Sequence, residues 1–249
     1  MEAPDPGAER VHPTARGFDR AADVYERARP EYPAPAMEAI RDRLALEPGT
    51  TVVDLAAGTG KLTRSLQAAF ELRIIAVEPS AGMRGEFLRA VPSVPILDGT
   101  AERIPLGDAV ADAVVVGQAF HWFDPPRALA EIARVLRDRG GLALIWNHRD
   151  ERVPWVERFG RVIHSVEHTS APSARDTGWK GALEGSDLFG PLEEARYDWV
   201  QRLTPQGLVE RALSVSYVAR LPEEGRAHVV REVRAMLQDD PELSGVSEI

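Results

Sequence analysis

The stretch that most constrains this chain is residues 51–62, TVVDLAAGTGKL. Thr51, Val52 and Val53 are β-branched and suit a buried strand, Ala56, Ala57, Gly58, Thr59 and Gly60 make a turn of small residues, and helical periodicity begins at Lys61. Strand, tight loop and helix in that order set the unpaired N–H groups of a first helical turn beside backbone that a ligand can approach closely. The spacing excludes a P-loop, which would need glycine at Leu55 and a hydroxyl at Leu62. It also excludes a dinucleotide fingerprint, which would need glycine at Thr63 or, starting earlier, at Ala56 and Lys61. Asp54 ends the strand, and a carboxylate at the mouth of the loop repels a pyrophosphate and attracts a cation. The ligand expected here carries positive charge.

Composition narrows the class further. A chain of 249 residues has room for one α/β domain with an appendage. A net charge of −9 argues against a partner held by its phosphate backbone, so nucleic acid is not expected. With no cysteine, disulfides, thiolate metal sites and a cysteine nucleophile are excluded, which fits a cytoplasmic protein. The N-terminal MEAPDPGAERVHPTARG lacks the apolar core of a signal peptide, and no apolar run approaches membrane-spanning length, so no membrane partner is expected. Acids and histidines are scattered without metal-ligand or Ser-His-Asp spacing, and no metal is expected.

Residues 54–60, DLAAGTG, resemble the first motif of the class I S-adenosylmethionine-dependent methyltransferases, D-x-G-x-G-x-G, with Ala56 in place of one glycine. Other segments match the same family in order between Phe18 and Asn147. The segment FDRAADVYERARPEYP is similar to the lead-in of a small-molecule subfamily that includes trans-aconitate methyltransferase-like proteins, in which this helix lids the cofactor; the resemblance places Tyr25 and Arg29 among its contacts. Glu78 closes RIIAVE about 20 residues after the loop, where a carboxylate can accept from both ribose hydroxyls, with Pro79 beside it and Met83 at a position that often touches adenine. In DGTAERIPL, Gly99, Thr100, Ala101 and Glu102 correspond to the segment that reads the adenine edge; Thr100 stands where the family usually has Asp, and its hydroxyl or Glu102 is the substitute. In QAFHW, Gln118, Ala119 and Phe120 resemble the fourth motif, and His121 is the candidate for orienting a substrate carboxylate or hydroxyl.

The alternation of strands and helices predicts an α/β fold: a doubly wound, mostly parallel Rossmann-like sheet with helices on both faces, N-terminal lid helices and a helical insertion after the fifth strand. The expected organisation is a mobile tail, 1–17, and a single domain, 18–249. Within it, 18–47 are lid helices, 48–147 the cofactor core, 148–190 a substrate-side insertion and 191–249 the remaining sheet and helices. Arg149, Trp155, Trp179 and Lys180 line a pocket in the insertion or serve as ordinary core and surface residues. EEARYDWVQRLT fits a sixth strand, and GVSEI would be the start of the family's antiparallel seventh. The resemblance implies S-adenosylmethionine as cofactor, S-adenosylhomocysteine as product, and in-line methyl transfer to a small-molecule carboxylate, hydroxyl or amine. The alternatives are a cofactor-binding protein of the same fold without turnover and, disfavoured by Asp54 and the missing third glycine, a nicotinamide oxidoreductase.

Overall fold

Apolar runs bounded by small-residue turns become five strands in the computed structural model, which describes residues 22–166 and 178–249. They are β1 (Thr51–Leu55), β2 (Arg73–Val77), β3 (Ile96–Leu97), β4 (Ala111–Gly117) and β5 (Leu136–Ile145), paired in parallel in the order β3-β2-β1-β4-β5. Successive residues of β1 face opposite layers. Val52 packs with Met37, Ile40, Leu62, Leu66 and Phe87, whereas Val53 and Leu55 pack with Ala128, Leu129 and Ile132. Both faces are therefore covered, which is why these strands read as continuous apolar runs rather than as alternating ones. The covering helices are α2 (Ala34–Arg43), α3 (Lys61–Ala69) and α4 (Ala81–Ala90) on one face and α5 (Pro125–Val135) on the other, where α7 (Gly178–Glu184) packs against α5. Prolines at the first turns of α2 and α5 start those helices where an N–H would have no partner, and the Ser80 hydroxyl caps α4 by accepting from Met83 N.

The described residues fall into two compact units. The sheet unit comprises Glu31–Trp146 and residues 178–198; the helical unit comprises residues 22–30, 147–166 and 199–249. The helical unit contains α1 (Ala22–Ala28), α6 (Pro154–His164), α8 (Pro205–Leu213), α9 (Ser216–Ala219) and α10 (Glu223–Asp239) around Phe159, Ile163, Leu208, Val209, Val229 and Val233. In it α1 packs on α8, and the chain just beyond α1 is fixed by Arg29, whose Nε donates to Ser214 Oγ and whose Nη2 donates to the Ser214 carbonyl, both at 3.0 Å. The tail 1–17 and Phe18 lie outside the described residues.

The structure corrects several boundaries. The sixth strand expected from Ala195, Tyr197 and Trp199 is absent: residues 191–204 form no helix or strand. Alternation supplies only the period, and a strand also needs a neighbour to complete its hydrogen bonds. Here the charged side chains find partners instead, Glu193 with Arg43 at 3.2 Å and Glu194 with Lys180. Only Leu203 makes a strand-like pair, exchanging two backbone hydrogen bonds with Ile249 at 3.0 and 2.7 Å, so GVSEI does pair at its last residue. Within β5 the chain bulges at residues 137–141, where the register to β4 shifts and Arg139 takes φ +66°. Strand β3 is only two residues long, and α7 lies within the stretch 148–190 expected to be an insertion.

Candidate active site

The carboxyl ends of β1 and β4 flank the point where the winding changes direction, because β2 lies on one side of β1 and β4 on the other. In open α/β sheets this crevice is where ligands bind. The loop leaving β1 is held by two backbone bonds, Ala57 N to Val77 O at 3.1 Å and Gly60 N to Ala57 O at 2.9 Å. Gly58 and Gly60 take φ +57° and +88°, and Ala56 takes φ +57° as well. Alanine at the family's glycine position thus keeps the left-handed backbone and bears its steric cost, about 1–2 kcal/mol. The two glycines have different reasons to be glycine. A Cβ at Gly58 would meet nothing within 4 Å, so its free side is open space, whereas a Cβ at Gly60 would lie 2.8 Å from Val91 Cγ2 and 2.9 Å from Phe87 Cδ2. Gly60 lets α3 start close against α4; Gly58 leaves room for a ligand.

Glu78 closes the site from β2. Its carboxylate accepts from Gly58 N at 3.0 Å and from Ser80 N at 2.8 Å, joining the β1 loop to the start of α4. Arg84 braces this turn, donating to the carbonyls of Glu78 at 2.9 Å and Pro79 at 2.8 Å and to Asp98 at 3.0 Å. Sequence reasoning missed it, although an arginine one turn into the helix after the acidic residue is a usable signal. Asp54 is placed differently from expectation. Its carboxylate lies buried under the loop rather than at its mouth, with Oδ2 accepting from Thr63 Oγ1 at 2.5 Å. Burial pushes its pKa up to about 7, with the Thr63 hydrogen bond opposing that rise and Glu78 adding to it. The cation-attracting charge attributed to it is consequently only partly present at neutral pH. Thr63, the partner that fixes it, was also missed.

Three buried oxygens in this region have no hydrogen-bond partner among the described residues: Asp54 Oδ1, Thr59 Oγ1 and Thr100 Oγ1. Gly99 must be glycine because a Cβ would sit 2.4 Å from the Pro105 ring, and Ala101 and Met83 are buried. Glu102 accepts from Asp124 N at 3.0 Å, at the start of α5, which leaves Thr100 as the better placed of the two polar candidates. Gln118 takes φ +61° as the chain leaves β4, a second left-handed non-glycine residue at the same edge as Ala56. Ala119 accepts from Trp122 N at 2.9 Å in the 3-10 turn Phe120–Trp122. The Phe120 ring belongs to the core, edge-on to Phe123 and Trp179. His121 is half-buried, and its Nδ1 faces Trp146 Nε1 at 3.4 Å, with Trp146 stacked on Trp179 at 4.6 Å. An Nδ1 that accepts places the neutral ring's proton on Nε2.

The remaining candidates are divided between the two units. Tyr25 and Arg29 are in the helical unit, Arg29 on Ser214 and over the Tyr25 ring. Trp155 packs on that unit's core, Arg149 lies over Phe159, and Lys180, in the sheet unit, pairs with Glu194. Among the described residues no helix is long and apolar enough to cross a membrane.

The profile of a family described as "Methyltransferase domain" matches residues 53–144. An uncharacterized methyltransferase of Mycobacterium tuberculosis is 39% identical over 227 residues, covering 91% of this chain and 88% of its own length. An uncharacterized methyltransferase-like protein of Schizosaccharomyces pombe is 34% identical over 225 residues, covering 90% and 87%. Among solved structures, one from Anaeromyxobacter dehalogenans, assigned as a type II methyltransferase, superposes with a TM-score of 0.59 at 25% identity, over 84% of this chain and 89% of that one.

Proposed function

Because this chain belongs to the class I S-adenosylmethionine-dependent methyltransferases, we propose that it transfers a methyl group to a small-molecule acceptor from a cofactor held at the carboxyl ends of β1 to β4. The observation that carries the site is the set of three partnerless buried oxygens, Asp54 Oδ1, Thr59 Oγ1 and Thr100 Oγ1, at the carboxyl ends of β1 and β3, together with the open side of Gly58 in the loop after β1. Buried polar atoms are nearly always satisfied, so such a set suits a ligand with several donors, as an adenosyl amino acid has. The bound cofactor supplies an electrophilic methyl group on a positively charged sulfur.

In this reading the protein's own residues bind and orient. Gly58 and Gly60 shape the loop for close approach, and Glu78, fixed by the loop and the α4 N-terminus, accepts from the ribose hydroxyls. Thr100 supplies the polar contact at the adenine edge, with Gly99, Ala101 and Met83 as its apolar surround. Gln118 and Ala119 line the exit of β4. His121, with its proton on Nε2, orients the acceptor beside the Trp146–Trp179 stack. Methyl displacement needs no protein nucleophile, and its acceleration comes from position and exclusion of water. A small acceptor is supported by the net charge of −9 and by the similarity of residues 18–33 to trans-aconitate methyltransferase-like proteins.

The test combines binding and turnover. Titration with S-adenosylhomocysteine is expected to give one site per chain, and Glu78→Ala is expected to weaken it by about 1–3 kcal/mol. Incubation with S-adenosylmethionine and a library of carboxylates, phenols and amines, read by mass spectrometry, is expected to give a methylated product. Equal affinity in folded Glu78→Ala rejects the ribose role, and binding without any product favours the non-catalytic alternative.

A further inference from the structure

The helical unit buries an arginine that no carboxylate among the described residues pairs with. Arg211 lies on α8 on the face shared with Leu208 and Ala212, and only 7% of it is exposed. Its hydrogen bonding among the described residues amounts to one long contact, Nη1 to Ser214 Oγ at 3.5 Å, and no carboxylate among them pairs with it. The same hydroxyl accepts from Arg29 Nε at 3.0 Å and gives its own proton to the Arg211 carbonyl at 2.8 Å, so two guanidinium groups meet at one serine. Burial first, then the like charges of Arg29 and Arg149, lowers the affinity of Arg211 for its proton, with Tyr25 opposing. A guanidinium does not neutralise itself in a protein, and a bound anion would offset that desolvation.

We propose that Arg211, Arg29 and Arg149 form a site for a small, doubly charged oxyanion, a phosphate or a dicarboxylate, bound as a ligand separate from the cofactor. Charge balance separates the two. The cofactor's amino-acid tail brings an ammonium along with its carboxylate, which clustered guanidinium groups repel, whereas a dianion matches them and offers oxygens to their planar donor forks. Arg29 and Arg149 are only half-buried, which gives the cluster a path to solvent. Two rings hold them in place, Tyr25 under Arg29 at 5.2 Å and Phe159 under Arg149 at 5.9 Å.

The full chain is melted in sodium phosphate, sodium succinate or sodium chloride at matched ionic strength. Phosphate or succinate is expected to raise the wild-type melting temperature by roughly 3 °C or more over chloride. Arg211→Met, which replaces the buried charge with an apolar chain, is expected to melt at or above wild type in chloride and to lose that increment. Arg149→Gln, at a half-exposed position, is expected to keep the fold and at least halve the increment. No excess over chloride in wild type overturns the proposal, as does an increment retained in folded Arg211→Met or abolished by saturating S-adenosylhomocysteine. The site stands independently of methyl transfer: failure of S-adenosylhomocysteine to bind would refute the cofactor assignment and leave the anion site in place.

Discussion

Asp54 shows how burial alters what a residue contributes. With its pKa raised to about 7 from an ordinary value near 3.8, it binds more protons folded than unfolded between those two values. Its favourable contribution is fully present below about pH 4 and is lost as pH rises through about 7. Asp54→Asn, neutral throughout, should therefore remove a fall in stability on the order of 2–4 kcal/mol across that window. Urea unfolding from pH 4 to 8 measures it, and an unchanged pH slope would show that the carboxylate is ionised at little cost. Ala56 gives the opposite kind of test. Because its φ is +57°, Ala56→Gly relieves a steric penalty and gives back only part of it as unfolded-chain entropy. Stability should rise by up to about 1 kcal/mol, where the same change inside a helix costs about that much. A loss greater than this would mean that the methyl of Ala56 packs favourably.

At the scale of elements, the helices α3 and α4 meet the loop through positions with separate duties. Gly60→Ala forces a methyl into Val91 and Phe87 and should destabilise by about 1–3 kcal/mol whether or not ligand is present. If the proposed site is right, Gly58→Val should leave the sheet folded yet abolish S-adenosylhomocysteine binding, because it fills the open space beside the loop and its φ is +57°. Calorimetric melting and ligand titration of the pair separate the two roles; retained affinity in Gly58→Val would remove the loop from the site. The strand, loop and helix were legible because their signals are local: β-branched residues, small residues, and a helical period that begins at Lys61. The missing sixth strand was not, since Tyr197 and Trp199 keep the right period and only a partner could have made it a strand. Thr63 and Arg84 were unread for a related reason, as their roles depend on which carboxylate or carbonyl the fold delivers to them.

For the molecule as a whole, sequence periodicity located both layers over the sheet, but nothing in PQGLVERAL distinguishes Arg211 from a surface arginine, and its burial exists only once the helical unit has assembled. Amide exchange tests the site across the whole chain: saturating S-adenosylhomocysteine should slow exchange at residues 56–60, 78–80 and 99–101, and unchanged exchange there would place the cofactor elsewhere. The tie between Arg29 and Ser214 joins positions 185 residues apart in the chain. At a synthesis rate of about 5–20 residues per second, the end of α1 emerges some ten to forty seconds before its partner serine exists. The sheet strands are complete by Ile145, well within that interval, so the loop after β1 can settle while α1 is still waiting. On the ribosome α1, the first of the described helices, is thus expected to be among the last to find its place, with its apolar residues Ala22 and Ala28 within reach of chaperones and proteases until then.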